Sequence, residues 1–558
     1  MPDPSTSPAL SELLADPGFT PGKAALPAVV DLLASADEAE AERAEQALLR
    51  AGTPAGGPLR ARLDGAGPPL RARLVRALGR LAPADASLRP VLLTCLEDQD
   101  PKARRNAISA LGKLGDPAVA AALLERARRE TSVPHLRSLV EALGKCGDAA
   151  ALEWLDALEH ADPELQRLRS RAQIMLRRSL GRAEISAEID DDALAPTPLA
   201  MLATCRPGLE DILAATLESL ASTAAADATA ATSASAGRET TPGSRDAAAA
   251  RVLGPGRVAL RSRGPLRALG QARTLLTLGF PLTPTPLAPG PDALVAALTA
   301  VLTSPESCLV FGTWTKGQVR YRLAWARGGH RRAVVWRVAE AVARARPDLV
   351  NDPSASPWEV VVDDARGQLH VELRPRWTDE RFAYRRGDVP AASHPTIAAA
   401  LAALAGVRAD DVVWDPFVGS GLELVERGLL GPHARLVGTD LDAKALAIAG
   451  ANLAAAGLER AELVQADATS FDPGPVTLIV TNPPMGRRVQ RGDVAPLLTA
   501  FLARAGALLR PGGRLVWISP LPRVTQAAAR GGGLVCRRAQ PIDMGGFNAQ
   551  LEVWDKPL

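Results

Sequence analysis

Four short stretches in the last third of the chain hold the residue types that chemistry needs, and each directly follows an apolar run. Asp415-Pro416-Phe417-Val418-Gly419-Ser420-Gly421 comes after Val412-Val413-Trp414 and before an amphipathic segment that starts near Leu422. Glycines at this spacing let the backbone turn tightly and approach a ligand, and the amides of a helix start face its polar groups. Nucleotide-binding turns of several kinds share that pattern. Asp440 closes the run Arg435 to Thr439, 19 residues after Gly421, where an acid accepts hydrogen bonds from both hydroxyls of a ribose. An NAD site would carry the same acid. Asp467, followed by Ala468, ends a third run at a place suited to an adenine amino group. Any one of these aspartates reads equally well as a helix N-cap; their joint placement on consecutive strand ends does not.

The fourth stretch decides between cofactors. Thr477-Leu478-Ile479-Val480 runs into Thr481-Asn482-Pro483-Pro484-Met485-Gly486. The two prolines fix φ and remove two donors, leaving the Asn482 side chain and the Pro483 carbonyl as acceptors for a substrate NH2 group. An amine conjugated to a ring is a poor nucleophile because its lone pair is delocalised. Two acceptors on its hydrogens favour the pyramidal form that attacks a methyl group carried on a sulfonium. Such catalysis rests on positioning and preorganised acceptors, and needs neither a covalent intermediate nor a metal.

The elements that must position these residues follow from the pattern around them. From about residue 396, apolar runs and amphipathic segments alternate strictly, which predicts a mostly parallel sheet covered by helices on both faces, with its ligand site beyond the carboxyl ends of the strands. Upstream, Ala110-Leu111-Gly112-Lys113-Leu114-Gly115-Asp116 returns as Ala142-Leu143-Gly144-Lys145-Cys146-Gly147-Asp148, and Ala77-Leu78-Gly79-Arg80-Leu81 precedes both. The intervening runs have apolar residues three and four apart, so each unit reads as a helix pair broken at Gly-Asp. These units resemble HEAT repeats. Helix pairs of this kind stack into an α-solenoid that leaves an extended surface for a protein partner.

The predicted organisation is HEAT-like repeats over 1–180, an acidic linker over 181–198, an α+β domain over 199–380 and the α/β domain over 381–558. The stretch 221–246 is polar and low in complexity, and predicts a disordered insertion. Between Lys316 and Arg346 nine basic residues stand against one acid, Glu340. Lys316, Arg320, Arg322, Arg327, Arg331, Arg332 and Arg337 are therefore candidates for a phosphate-tracking surface, with Tyr321, Trp325 and Trp336 as stacking neighbours. A solvated arginine-rich helix face is the plainer reading of the same run.

Residues 396–555 resemble class I methyltransferases of the Asn-Pro-Pro-Tyr type, with a Rossmann-like fold, and residues 200–555 resemble the THUMP-containing RNA guanine methyltransferases. The closer likeness lies in Ala203-Thr204-Cys205-Arg206-Pro207-Gly208-Leu209-Glu210-Asp211, in Trp336-Arg337-Val338-Ala339-Glu340-Ala341 after the basic segment, and in Phe382-Ala383-Tyr384-Arg385-Arg386-Gly387 leading to His394-Pro395-Thr396-Ile397. The resemblance implies S-adenosyl-L-methionine as cofactor, RNA (tRNA or rRNA) as substrate, and guanine N2 as the methylated amine. It implies cofactor contacts from Tyr384, Pro395, Thr396, Asp415, Phe417, Gly419, Ser420, Gly421, Asp440, Leu441, Asp467, Ala468 and Asn482, and catalysis by Asn482, Pro483, Pro484 and Met485. Met485 departs from the family, which has an aromatic ring there; methionine packs on a base but offers no π-face.

A net charge of +3 over 558 residues implies no polyanion partner by itself. The five cysteines lack pairing or metal-type spacing, and the first residues resemble no signal sequence, so no metal, no membrane partner and a cytoplasmic location are expected. Two other readings stay open: the same chemistry on DNA adenine or a protein glutamine, and a HEAT-like scaffold whose cofactor domain does not turn over.

Overall fold

Repeated glycines in the helical region mark where its helices touch. The computed structural model describes residues 10–184, 186–236, 249–329, 331–390, 392–486 and 494–558. It divides into two units, Met1–Ala187 with Arg331–Ala355, and Glu188–His330 with Ser356–Leu558. In the first, the long helices Pro68–Leu81, Pro101–Leu114, Val133–Cys146 and Pro163–Glu184 pack each against the next, and the shorter helices Arg89–Thr94, Ala120–Arg129 and Ala149–Ala157 alternate with them. Asp100, Asp116 and Asp148 cap helix starts, and Gly115, at φ 62°, ends one.

The repeated Ala-Leu-Gly string is the packing contact itself. A Cβ on Gly79 would stand 2.5 Å from that of Ala110, one on Gly112 2.7 Å from that of Ala142, and one on Gly144 2.8 Å from that of Ala172. Each repeat thus presents a glycine to an alanine of the following long helix. Gly112→Val is expected to lower the stability of this unit by about 1–3 kcal/mol through overpacking, read as an earlier urea midpoint by far-ultraviolet circular dichroism. An unchanged midpoint would mean that the close approach carries no energetic weight.

Two expectations for the first half change. The last repeat helix runs to Glu184, and the acidic stretch after it is no free linker. Within the second unit the Asp190 amide donates to the Trp314 carbonyl (3.0 Å), the Trp314 indole donates to the Ala193 carbonyl (3.0 Å), and Asp190 pairs with Lys316 (3.0 Å). The supposed disordered insertion is helical over 221–236, as the end of the helix Glu210–Ala236; nine of those sixteen residues are alanine, the strongest helix former. Residues 237–246 lie outside the described residues.

The α+β expectation holds for the middle of the chain. In the second unit, strands Arg251–Gly254, Arg257–Ser262, Leu199–Thr204, Thr277–Pro281, Gln368–Pro375, Trp358–Asp363 and Val319–Trp325 lie side by side in that order. Only the last two are paired in parallel, and Phe280, Phe311, Trp314 and Trp358 form an aromatic core. The basic segment is split: Arg331–Ala355 belongs to the helical unit, where the helix Arg332–Ala345 packs on Pro163–Glu184.

The remaining sheet positions the candidate site. Its strands are β1 (Val412–Asp415), β2 (Arg435–Asp440), β3 (Glu462–Gln465), β4 (Val476–Thr481), β5 (Leu509–Ser519), β6 (Val535–Asp543) and β7 (Asn548–Asp555), in the order β3-β2-β1-β4-β5-β7-β6. All neighbours are parallel except those of β7. The reversal on either side of β1 opens a crevice at the carboxyl ends, as expected for doubly wound sheets. Helices α1 (Pro395–Ala405) and α2 (Leu422–Leu430) pack together beside it. No boundary separates this sheet from the middle domain: Arg273 of the latter forms a two-pronged ion pair with Glu426 on α2 (2.5 and 2.8 Å), and Arg538 on β6 reaches Asp211 (3.3 Å).

Candidate functional site

A cavity of about 690 Å³ lies over the carboxyl ends of β1 to β4. Phe417, Gly419 and Ser420 after β1, Asp440 at the end of β2 and Leu441 after it, Asp467 and Ala468 after β3, and Asn482 to Met485 after β4 all line it. Gly419 adopts φ 49°, and a Cβ there would project to within 3.7 Å of Val389 on the opposite wall. The Asp440 carboxylate accepts from the Gly419 amide (3.0 Å) and the Asp442 amide (2.9 Å), which fixes its plane and leaves two of its roughly four acceptor sites open. Asp467 accepts from the amide and hydroxyl of Thr469 (2.8 and 2.7 Å), and these bonds hold its carboxyl below the usual aspartate range. Leu441, 64% exposed, places an apolar side chain at the cavity wall.

Asn482 is oriented from behind. Its Nδ2 donates to the Ser393 hydroxyl (2.7 Å), whose own proton goes to the buried Glu423 carboxylate. The other amide atom, Oδ1, is shielded from solvent and accepts no hydrogen bond among the described residues. A buried amide oxygen without a donor is costly, and it is the feature expected of an acceptor awaiting a ligand. Below the cavity floor, burial and then the nearby Glu423 push the Asp415 carboxyl well above its usual range; it accepts from Thr481 (2.6 Å) and the Phe417 amide (3.1 Å).

Residues 383–549 match the family model of the RMKL-like methyltransferase domain, UPF0020, and residues 57–138 match that of HEAT repeats. The carboxy-terminal domain is an RMKL-like methyltransferase domain. Among curated proteins, the chain is similar to the tRNA (guanine(10)-N2)-dimethyltransferase of Methanothermobacter thermautotrophicus, 34% identical over 24% of this chain and 39% of that one. It is also similar to the U6 snRNA (guanine-N(2))-methyltransferase THUMPD2 of Bos taurus, 36% identical over 22% of this chain and 24% of that one. The matched region thus spans well under half the length of these relatives. Among solved structures, TrmN from Thermus thermophilus is 27% identical over 64% of this chain and 99% of that one, with a TM-score of 0.47.

Not every expected cofactor contact of the methyltransferase domain reaches the cavity. Tyr384 is buried and donates to Glu426 (2.5 Å), so it ties the leader segment to α2 and does not face the cavity. Pro395 and Thr396 open α1, where the His394 Nδ1 accepts from the Thr396 amide (3.3 Å); both side chains are buried in the helix start. Asp415 lies beneath the wall, and Gly421, at φ 83°, serves the close packing of α2 on Ala449, 3.1 Å from a Cβ placed on it. These five positions shape the wall from outside it.

The basic candidates are largely neutralised by acids distant in sequence. Arg322 pairs with Glu359 (2.5 Å), directly opposite in the strand register, Arg327 with Asp363 (3.4 Å), and Lys316 with Asp190. Arg320 and Tyr321 are buried. Trp336 is covered by the guanidinium groups of Arg171 and Arg178 at 4.9 and 5.0 Å, which removes it as a stacking surface for a base. Arg331, Arg332 and Arg337 stay exposed, on the helical unit.

Several cavity residues of the methyltransferase domain carry no strand-end signal. Arg206 comes from the middle domain, Ser393 and His394 from the leader, and Met544 and Phe547 from the turn between β6 and β7. Burial, with Arg206 and Arg385 nearby, lowers the His394 pKa and keeps the ring neutral. The Arg206 side chain sits close to Gly545, and its Nη1 lies 3.5 Å from the Asp543 carbonyl. Arg206 stands in the quoted Cys205-Arg206-Pro207-Gly208 string, which carried the family resemblance without marking Arg206 as a site residue.

Proposed function

We propose that this protein transfers a methyl group from S-adenosyl-L-methionine to an exocyclic amine of a nucleobase in RNA, with guanine N2 as the acceptor. The observation that carries this reading is the buried, unpartnered Oδ1 of Asn482 in a cavity that also holds Asp440 and Asp467 at two other strand ends. The donor set fits the cofactor: Asp440 retains open acceptor sites for a ribose, Asp467 a carboxylate for an adenine amine, and Gly419 leaves room where a side chain would intrude. When bound, the cofactor supplies an electrophilic methyl group on sulfur. Asn482 Oδ1 and the Pro483 carbonyl hold the amine by its hydrogens, while Met485 offers an apolar surface to the ring.

RNA as the substrate class is supported by the named relatives, two of which act on guanine N2 of tRNA or U6 snRNA, and by Arg206 and Arg385, two cations on the wall of the cavity. The THUMP likeness of the middle domain supports it too, although Arg320 of the basic candidates is buried and Lys316, Arg322 and Arg327 are paired with acids. The HEAT repeats are read as the seat of a protein partner.

Incubation with tritiated cofactor and fractionated cell extract tests the assignment. Label is expected in material that ribonuclease releases, co-migrating with N2-methylguanosine after digestion. Label released by deoxyribonuclease or protease would move the acceptor to DNA or protein, and no label in any fraction alongside cofactor binding would leave a non-catalytic scaffold.

A further inference from the structure

An asparagine amide is nearly symmetric in shape, and only its hydrogen-bond partners decide which end faces a substrate. In this cavity the choice matters. Oδ1 toward the cavity accepts from an incoming amine, whereas Nδ2 there would set donor against donor. Three residues from three separate elements make the choice. Asn482 follows β4, Ser393 precedes α1, and Glu423 lies in the first turn of α2, with Ser393, Glu423 and Asn482 all on the cavity wall. Ser393 is 7% exposed and Glu423 4%. The serine hydroxyl has one proton. A carboxylate takes it, so the serine oxygen turns lone pairs to Asn482 and selects Nδ2 as its neighbour (2.7 Å).

We propose that Ser393 and Glu423 are positioning residues that lock the Asn482 amide with its oxygen toward the acceptor amine. This rests on the reaction proposed above and goes beyond it by adding a second layer that the Asn-Pro-Pro motif does not contain. The lock depends on the charge of Glu423. As a carboxylate it accepts the serine proton; as an acid it donates to the serine oxygen, freeing the serine proton to bond Oδ1 and turn the amide over. Burial pushes Glu423 up to about 7, aided by Glu426 on the same helix and opposed by the Ser393 bond. The other ionisable groups near it are Asp415 at the end of β1, itself raised by Glu423, and Tyr384, while Glu426 is paired with Arg273.

The test uses the full-length protein with S-adenosylmethionine and RNA. Single-turnover methyl transfer is measured from pH 6 to 9, and cofactor affinity by calorimetry. Ser393→Ala is expected to lower the transfer rate on the order of 10- to 100-fold, the usual cost of losing an orienting partner, with cofactor affinity within about twofold of wild type. Ser393→Thr, which keeps the hydroxyl, is expected to restore most of the rate. Wild type should lose rate as pH falls through about 7, where Glu423 gains its proton. Glu423→Gln should be slower at pH 8.5, insensitive to pH, and equal to wild type at pH 6. A merely structural role gives a constant ratio between the two at every pH and overturns the proposal, as does full activity of Ser393→Ala. Equal transfer by wild type and Asn482→Ala would instead remove the proposed reaction itself.

Discussion

Asn482→Ala is expected to lower the single-turnover rate of methyl transfer by about 10²- to 10³-fold, the cost of deleting one preorganised hydrogen-bonding group at a reacting centre. Cofactor affinity should change little, because Gly419, Asp440 and Asp467 lie on three other strand ends. Loss of rate without loss of affinity is the signature of a contact that matters chiefly as the amine begins to attack. Truncation is also structurally mild here. Asn482 Oδ1 has no partner to orphan, and the Ser393 hydroxyl keeps its bond to Glu423. A variant that retained full rate would show that the amide oxygen does not hold the acceptor. A variant that lost cofactor binding as well would place Asn482 in the cofactor site alone.

The second large effect lies at the opposite end of the same strands. Asp411, just before β1, is fully buried and accepts from Arg427 (2.7 Å), from two nitrogens of Arg514 (2.9 and 2.8 Å) and from Thr477 (2.9 Å). Arg427 is itself 0% exposed. Asp411→Ala leaves two guanidinium groups in the interior without their counter-charge. Breaking a buried pair in this way typically costs about 3–5 kcal/mol, a large share of a domain's net stability. The expected result is a sharply lower urea midpoint or insoluble protein, and an unchanged midpoint would refute the assignment. Acidification should act through the same group. Burial alone would raise Asp411, but the hydrogen bonds from Arg514 and Arg427 outweigh it and hold the carboxyl well below its ordinary 3.8. Its folded-state pKa is depressed, so its contribution is complete above the unfolded value and is lost as pH falls below about 4. Over pH 5 to 9 this contribution should stay constant.

The glycine contacts of the repeats were legible in part. A recurring Ala-Leu-Gly string announces helix pairs, since local periodicity dictates local structure. That each glycine meets the alanine of the following long helix emerges only when the helices are stacked, because a close approach is a property of two elements. The acidic stretch at 190–192 looked like a spacer for the same reason: its partners, Lys316 and Arg267, come from more than 70 residues away.

What the sequence determined alone is the chemistry at the strand ends. Asp440, Asp467 and Asn482 could be placed beforehand because alternation of strand and helix forces the carboxyl ends of parallel strands to one rim, and a residue's distance from its strand is a local fact. Tertiary structure decided the rest. It drew Arg206, Ser393, Glu423 and Phe547 to the same cavity, moved Tyr384 and Thr396 off it, and set Glu359 and Asp363 against Arg322 and Arg327. The physical reason is that charge and hydrogen bonding act through space over a few ångströms, so a run of arginines counted along the chain says nothing of the acids that the neighbouring strand will lay beside it.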